Sequence, residues 1–185
     1  MVAKRLPLQR RDRPGLAPEF PYRSPVWSAT LAWPLVDAVA LDLDAVLADT
    51  RPLWHDWLED AARRARVELD VPEDRAQAAT LLDEQLGDWR PLLERFAADR
   101  GPLHFRPRSE TSAALRRLEG AGVRIGVFSD APRELAEIAL AHVGAARRVT
   151  VVGSLDEVLH ALGDGAVVVR SRDELAGLEL SADGR

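Results

Sequence analysis

Two aspartates that follow an apolar run are the strongest candidates for chemistry in this chain. Residues 36–41 are mostly aliphatic, and Asp42 and Asp44 come directly after them, separated by Leu43. Side chains two positions apart on a strand point to the same side, so both carboxylates converge where the strand ends. Such a pair suits Mg²⁺-assisted phosphoryl transfer, in which one carboxylate attacks phosphorus and the other shuttles a proton. The competing interpretation is that both aspartates only cap a turn.

The composition excludes several other chemistries. The chain contains no cysteine, which excludes disulfides, thiol nucleophiles and thiolate zinc sites. Its four histidines share no metal-ligand spacing: His55, His104, His142 and His160. A formal net charge of -5 argues against a nucleic-acid partner. The apolar runs are far shorter than the roughly 20 residues of a spanning helix, and no secretory signal is recognisable. We therefore expect a cytoplasmic protein with no membrane partner.

The elements that must position the aspartates alternate between strands and helices. Apolar runs predict strands at residues 36–44, 123–128, 148–152 and 166–169, and helical periodicity predicts helices at residues 109–119, 132–143, 155–162 and 173–178. This alternation indicates an α/β fold with a doubly wound parallel sheet, whose ligand crevice lies at the carboxyl ends of the strands. We therefore expect Asp42 and Asp44 to face that crevice.

The chain divides into three parts by composition. Residues 1–25 are rich in arginine and proline and are predicted to be a disordered basic arm. Residues 52–100 show helical stripes that include Trp54, Trp57 and Trp89, and they form a helical insert after the first strand. Residues 26–51 and 101–185 then make up the α/β core.

The segment from Leu41 to Thr50, LDLDAVLADT, resembles the first motif of the haloacid-dehalogenase-like (HAD-like) hydrolases, a strand followed by Asp-x-Asp-Gly-Val/Thr-Leu. The resemblance implies a Rossmann-like HAD core in which the insert is a helical cap over the crevice. It also implies that Asp42 forms an aspartyl-phosphate, that Asp44 protonates the leaving group and later activates water, and that Asp44 offers its backbone carbonyl to Mg²⁺. Ala45 replaces the family glycine, which is tolerable if the turn keeps φ negative.

A second segment is similar to the family's second motif, a hydrophobic strand ending in serine or threonine. Residues 122–134 read GVRIGVFSDAPRE, and Ser129 is the matching residue. The resemblance implies that Ser129, followed by Asp130 in the phosphate-binding loop, works with the backbone amides of the next helix to hold phosphate oxygens. A single serine before a helix is otherwise an ordinary N-cap.

The second half of the chain departs from the family pattern. The family uses a lysine or arginine to offset phosphate charge, and the only lysine here is Lys4. Arg147 or Arg148 could substitute, and we take Arg148 as the phosphate-site candidate. As charges at a helix end, both arginines are also ordinary solvated residues.

The acidic motif that would complete the Mg²⁺ site has two possible alignments. In one, residues 151–158 supply it and leave Asp156 and Glu157 just inside the following helix. In the other, residues 166–173 supply it, and Asp173 is the only nearby acid. We take Asp42, Asp44 and Asp156 as the predicted metal set, although either alignment leaves the site short of one carboxylate.

The resemblance to the HAD-like hydrolases implies a Mg²⁺-dependent phosphohydrolase that acts on a small phosphorylated metabolite through an aspartyl-phosphate. The alternative is a catalytically impaired pseudophosphatase, which acts as a binding or regulatory module. Dehalogenation is disfavoured because that branch of the family does not need Asp44. A scaffold that uses Trp27, Trp33 and the basic arm has only composition in its favour.

Overall fold

A computed structural model describes residues 36–178 of the chain. The predicted basic arm at residues 1–25, together with Trp27 and Trp33, lies outside the described residues.

Four parallel strands form one sheet in the order β3-β2-β1-β4. They are β1 (Ala38–Asp42), β2 (Arg124–Phe128), β3 (Val149–Gly153) and β4 (Val167–Val169). Strand β1 is one of the two central strands, because it pairs in parallel with both β2 and β4. Aliphatic and β-branched residues dominate the strands, as expected of a sheet covered on both faces. The predicted α/β fold with a parallel sheet is confirmed.

Seven α-helices connect and cover the strands within residues 36–178. They are α1 (Arg51–Ala65), α2 (Arg75–Gln85), α3 (Arg90–His104), α4 (Ser109–Gly120), α5 (Arg133–His142), α6 (Leu155–Leu162) and α7 (Arg172–Gly177). Helices α4 to α7 lie within about two residues of the predicted ones. Helix α3 passes through Gly101 and Pro102, where the sequence pattern had predicted the end of the insert. None of the helices in the described part of the chain is both long and apolar enough to cross a membrane.

The sheet has helices on both faces, and alternate side chains of β1 belong to different hydrophobic clusters. Val39 and Leu41 are buried in the larger cluster, with side chains of α4, α5 and the insert. Ala38 and Ala40 are buried in a smaller cluster with Val158 and Leu162 of α6. Helix α6 therefore carries the chain from the outer strand β3, across the opposite face, to β4. This reversal of strand order beside β1 creates the switch point at which ligands bind in such sheets.

The helical insert and the sheet share one hydrophobic cluster. Trp54, Trp57 and Trp89 pack against one another with ring centroids 5.2–6.0 Å apart, and they belong to the same cluster as Val39 and Leu41 of β1. Because aromatic rings bury large areas, this cluster fixes the insert against the core. The predicted boundaries of the insert, residues 52 and 100, fall inside helices α1 and α3.

Helix α3 meets the core helix α5 where Gly101 faces the ring of His142. A Cβ atom at Gly101 would lie 2.8 Å from Cε1 and 2.9 Å from Nε2 of His142. The ring cannot easily give way, because its Nδ1 lies 2.9 Å from the carbonyl oxygen of Ile138 and is hydrogen-bonded to it.

We predict that Gly101→Ala lowers the free energy of unfolding, because overpacking costs about 1–3 kcal/mol and exceeds the gain in helix propensity of at most about 1 kcal/mol. Chemical denaturation followed by circular dichroism measures the difference. Gly120→Ala is the matched control, since a Cβ there meets nothing within 4 Å. Equal stability of the two variants would contradict the close packing of α3 on α5.

Candidate functional site

Strand β1 delivers Asp42 to the edge of the sheet, where the chain forms a single π-helical turn. The turn spans Leu43–Leu47, and the Ala48 amide closes it by donating to the Leu43 carbonyl at 2.8 Å. Oδ1 of Asp42 accepts a hydrogen bond from the Ala45 amide at 3.0 Å. In the part of the chain that the structure describes, Oδ2 of Asp42 accepts none. Turns of this type are frequent at functional sites.

Ala45 fits the turn without a glycine. Arg66 is the only non-glycine residue with a positive φ between residues 36 and 178, so Ala45 avoids the left-handed region. Alanine therefore fits this position, because the turn does not need a positive φ there.

The carboxylate of Asp44 is hydrogen-bonded at both oxygens. Oδ1 accepts from the backbone amide of Thr50 at 2.7 Å and from its hydroxyl at 2.6 Å. Oδ2 accepts from Nη2 of Arg75 at 2.5 Å and from the Ser129 hydroxyl at 3.2 Å. Burial alone would raise the pKa of Asp44, but the hydrogen bonds from Thr50 and Arg75 outweigh it and hold the pKa below its ordinary value. Asp44 is therefore a carboxylate at neutral pH.

Arg75 is the buried cation that binds Asp44, and it comes from the insert. Its side chain is 3% exposed. Its Nη1 donates to the Thr50 hydroxyl at 2.6 Å, its Nε donates to Oδ1 of Asp130 at 3.1 Å, and its Nη2 also contacts Asp130. Burial alone would lower the pKa of Arg75, but the bonds to Asp130 and Asp44 raise it. The guanidinium therefore joins helix α2 of the insert to two loops of the core.

Ser129 and Asp130 follow strand β2 at the same edge. The sheet register pairs Asp42 with Phe128, so the next residue, Ser129, lies beside the end of β1. The Ser129 hydroxyl donates to Asp44 and accepts from the Ala131 amide at 3.0 Å. Helix α5 then begins without a side-chain cap. Its first amides are thus available to an anion, as helix N-termini are in phosphate sites.

These residues line a crevice of about 1010 Å³. One end is polar and contains Asp42, Asp44, Arg75, Ser129 and Asp130. The rest is mainly an apolar wall, which includes Ala76, Ala79, Val151, Val152 and Leu155. Three further arginines, Arg51, Arg133 and Arg170, also reach the crevice.

Two of the predicted site residues lie elsewhere. Arg148 donates through Nε to Glu119 at 2.8 Å and through Nη1 to the Gly144 carbonyl at 2.9 Å, and it does not line the crevice. Asp156 is in the first turn of α6, after the outer strand β3, and it does not line the crevice either. The predicted metal set of Asp42, Asp44 and Asp156 is therefore not brought together.

The strand order also shows which of the two segments considered for the acidic motif lies beside β1. Strand β4, and not β3, lies beside β1. The residue that follows β4 is Arg170, whose guanidinium stacks 5.3 Å from the ring centre of Phe128. Asp173 lies in the first turn of α7. Over residues 36–178, no group of three or more acidic or histidine side chains is arranged to hold a metal ion.

Sequence reasoning missed Arg75 and Arg170. One sign of Arg75 was available: it is the first residue of helix α2, where a positive charge opposes the helix dipole. Such a residue needs a compensating partner if it is buried. The sequence pattern nevertheless could not show which carboxylates the guanidinium reaches, because its partners are 31 and 55 residues away.

Comparisons with known proteins give structural similarities at low identity. No family model matches the chain, and no curated protein matches it either. Among solved structures, the chain is similar to a HAD phosphatase from Thermococcus onnurineus, with 22% identity over 66% of this chain and 63% of that one and a TM-score of 0.41. This chain therefore spans less than two thirds of that protein's length.

Two further structures are similar to a comparable degree. Protein Tyrosine Kinase A of Mycobacterium tuberculosis is 20% identical over 78% of this chain and 80% of that one, with a TM-score of 0.46. L-2-haloacid dehalogenase from Xanthobacter autotrophicus is 15% identical over 66% and 58%, with a TM-score of 0.33.

Proposed function

We propose that this protein is a phosphohydrolase that accepts the phosphoryl group of a small phosphorylated metabolite on Asp42. The observation that carries the proposal is that Oδ2 of Asp42, at the polar end of the crevice, accepts no hydrogen bond from any of residues 36–178. A nucleophile needs a free lone pair, and Asp44 has none to spare. The uncapped start of α5 supports the proposal further, since it offers amide donors to phosphate oxygens.

The reaction consists of two displacements at phosphorus. Oδ2 of Asp42 forms a bond to phosphorus while the bond from phosphorus to the ester oxygen breaks, and the ester oxygen leaves with the bonding electrons. Water then attacks phosphorus, the bond to Asp42 breaks, and inorganic phosphate is released with Asp42 regenerated as a carboxylate. The leaving oxygen of the first step needs a proton unless it is stable as an anion.

Asp44 is poorly suited to supply that proton in this arrangement. Its pKa is lowered, so it is ionised at neutral pH, and both of its oxygens already accept hydrogen bonds. General acid catalysis contributes about 10²–10⁴-fold where it operates. We therefore propose that the substrates are phosphates with good leaving groups, such as aryl or acyl phosphates.

The expected Mg²⁺ does not fit the residues present at the crevice. A hard cation binds through charged oxygens, yet the carboxylate oxygens of Asp44 are taken by Thr50, Ser129 and Arg75, and Asp156 does not line the crevice. An arginine, Arg170, also follows the strand beside β1. No step of the proposed reaction therefore passes through a metal ion.

A phosphate-binding module without turnover is the second candidate. It is favoured by the same saturation of Asp44, which deprives the site of a general acid. In this case the crevice would hold a phosphorylated ligand through the first amides of α5, and Asp42 would remain unmodified.

We predict that Asp42→Asn lowers the rate of aryl phosphate hydrolysis by at least about 10³-fold, because loss of a nucleophile removes the covalent step. Release of the phenol at pH 7 measures the rate, and circular dichroism checks that the variant is folded. Asp37→Asn is the matched control, since Asp37 is exposed and precedes the opposite end of β1. A wild-type rate no higher than the blank would favour the binding module, and an unchanged rate in Asp42→Asn would exclude Asp42 as nucleophile.

We predict that kcat/KM for aryl phosphates exceeds that for alkyl phosphates by about 10²–10⁴-fold, the size of the missing general acid contribution. A series of esters whose leaving groups span a wide range of pKa measures this dependence. Rates that are independent of the leaving group would indicate that Asp44 does protonate the leaving oxygen. This result would contradict the ionised state of Asp44 in the proposed reaction.

We predict that Asp44→Asn lowers the free energy of unfolding by about 1.5–3 kcal/mol at pH 7, the size of a hydrogen bond to a charged group. A lowered pKa stabilises the folded state above the pKa of the unfolded carboxyl, near about 3.9. This contribution disappears as the pH falls through the lower folded value. The difference between wild type and variant should therefore shrink below about pH 4, as measured by urea denaturation at several pH values. A constant difference down to pH 2 would contradict the ionised state of Asp44.

A further inference from the structure

We propose that the guanidinium of Arg75 is the resident cation of the crevice. It supplies to Asp44 and Asp130 the positive charge that a divalent ion would otherwise supply, and it excludes such an ion from them. This inference does not depend on whether Asp42 reacts, because it concerns the charge balance of the site alone.

The geometry of Arg75 matches a bridging cation. Its Nη2 lies 2.5 Å from Oδ2 of Asp44 and also contacts Oδ1 of Asp130. Its Nε donates to the same Asp130 oxygen at 3.1 Å. The planar guanidinium therefore spans two carboxylates with donors at fixed angles, which a single ammonium could not reproduce. The side chain is 3% exposed, so little water competes for these bonds.

The charge of the polar end requires such a cation. Asp42, Asp44 and Asp130 all line the crevice, and like charges at close range destabilise a folded chain. Removal of Arg75 would leave Asp44 and Asp130 without their bonded counter-ion, and carboxylate oxygens freed in this way are the ligands that a divalent ion prefers.

The other arginines at the crevice are engaged differently. Arg51 donates to Asp49 at 2.7 Å, Arg133 donates to Glu137 at 2.8 Å, and Arg170 stacks on the ring of Phe128. Among residues 36–178, Arg75 is thus the only side chain that forms a salt bridge with Asp44 or Asp130.

Occupation of the oxygens accounts for the exclusion of metal. Arg75 and Ser129 use Oδ2 of Asp44, the amide and hydroxyl of Thr50 use Oδ1, and Arg75 uses Oδ1 of Asp130. A divalent ion could bind Oδ2 of Asp44 or Oδ1 of Asp130 only by displacing the guanidinium. This displacement would leave a buried, unpaired positive charge at the first position of helix α2.

The test compares Mg²⁺ binding by the full chain in wild type, Arg75→Ala, Arg75→Lys and Arg95→Ala. Titration calorimetry measures binding directly, and thermal unfolding in millimolar MgCl₂ is compared with NaCl at the same ionic strength. Arg95 is exposed on α3, so Arg95→Ala removes the same charge away from the crevice.

The wild type and Arg95→Ala are expected to show no binding heat, and the same Tm in both salts. Arg75→Ala should have a lower Tm, bind Mg²⁺, and regain part of its Tm in MgCl₂ but not in NaCl. Arg75→Lys keeps the positive charge but lacks the planar set of donors of a guanidinium. It should have an intermediate Tm and no Mg²⁺ binding.

Two results would overturn the proposal. One is a wild-type protein that binds Mg²⁺ with a heat that Asp44→Asn abolishes, and the other is a folded Arg75→Ala variant that gains no Mg²⁺ binding. If Arg75→Ala does not fold alone, refolding in MgCl₂ decides the matter: recovery of folded protein supports the proposal, and failure to recover more than in NaCl overturns it.

Discussion

The ion pair between Arg75 and Asp44 connects the helical insert to the carboxyl edge of the sheet. Arg75 begins a helix of the insert, whereas Asp44 lies in the turn after the central strand. A buried guanidinium is stable only if carboxylates and hydroxyls satisfy its donors, and Asp44, Thr50 and Asp130 do so. The insert, the end of β1 and the loop after β2 are thereby held in one arrangement. Loss of Arg75 would leave Asp44 as an unpaired charge with little access to water.

Hydrophobic packing makes this arrangement possible. The tryptophan cluster of the insert, together with Ala78 and Leu82 of helix α2, belongs to the same buried cluster as the side chains of β1, so the insert packs against the sheet. The close contact between Gly101 and His142 fixes helix α3 on α5 in addition. Since interiors of this kind are close-packed, small shifts at these contacts would alter the position of the guanidinium.

The two aspartates differ in the hydrogen bonds that their carboxylates accept, and the ion pair with Arg75 contributes to this difference. Within the part of the chain that the structure describes, Asp42 keeps one oxygen without a hydrogen bond, whereas both carboxylate oxygens of Asp44 accept hydrogen bonds. Two carboxylates that are separated by one residue thus have different environments, and this difference sets which of them is available to a ligand. The rest of the crevice lining is mainly apolar and also includes the charged side chains of Arg133, Glu157 and Arg170.

The sequence by itself determined the local features of this protein. Strand and helix periodicity predicted β1, β2 and the helices from α4 onward, and the spacing of Asp42 and Asp44 after an apolar run placed them at the carboxyl edge of the sheet. These features depend on neighbouring residues, and sequence patterns record neighbours directly. The position of Ala45 in a turn without left-handed φ is of the same kind.

Only the tertiary structure decided the charge of the site. The strand order put β4 beside β1, and so Arg170, not Asp156, follows the adjacent strand. The packing of the insert brought Arg75 to Asp44 and Asp130 across 31 and 55 residues. Charge balance in a crevice depends on which distant side chains meet there, and a long arginine side chain carries no local pattern that indicates its partner. That is the physical reason why the carboxylates could be predicted from the sequence and their counter-ion could not.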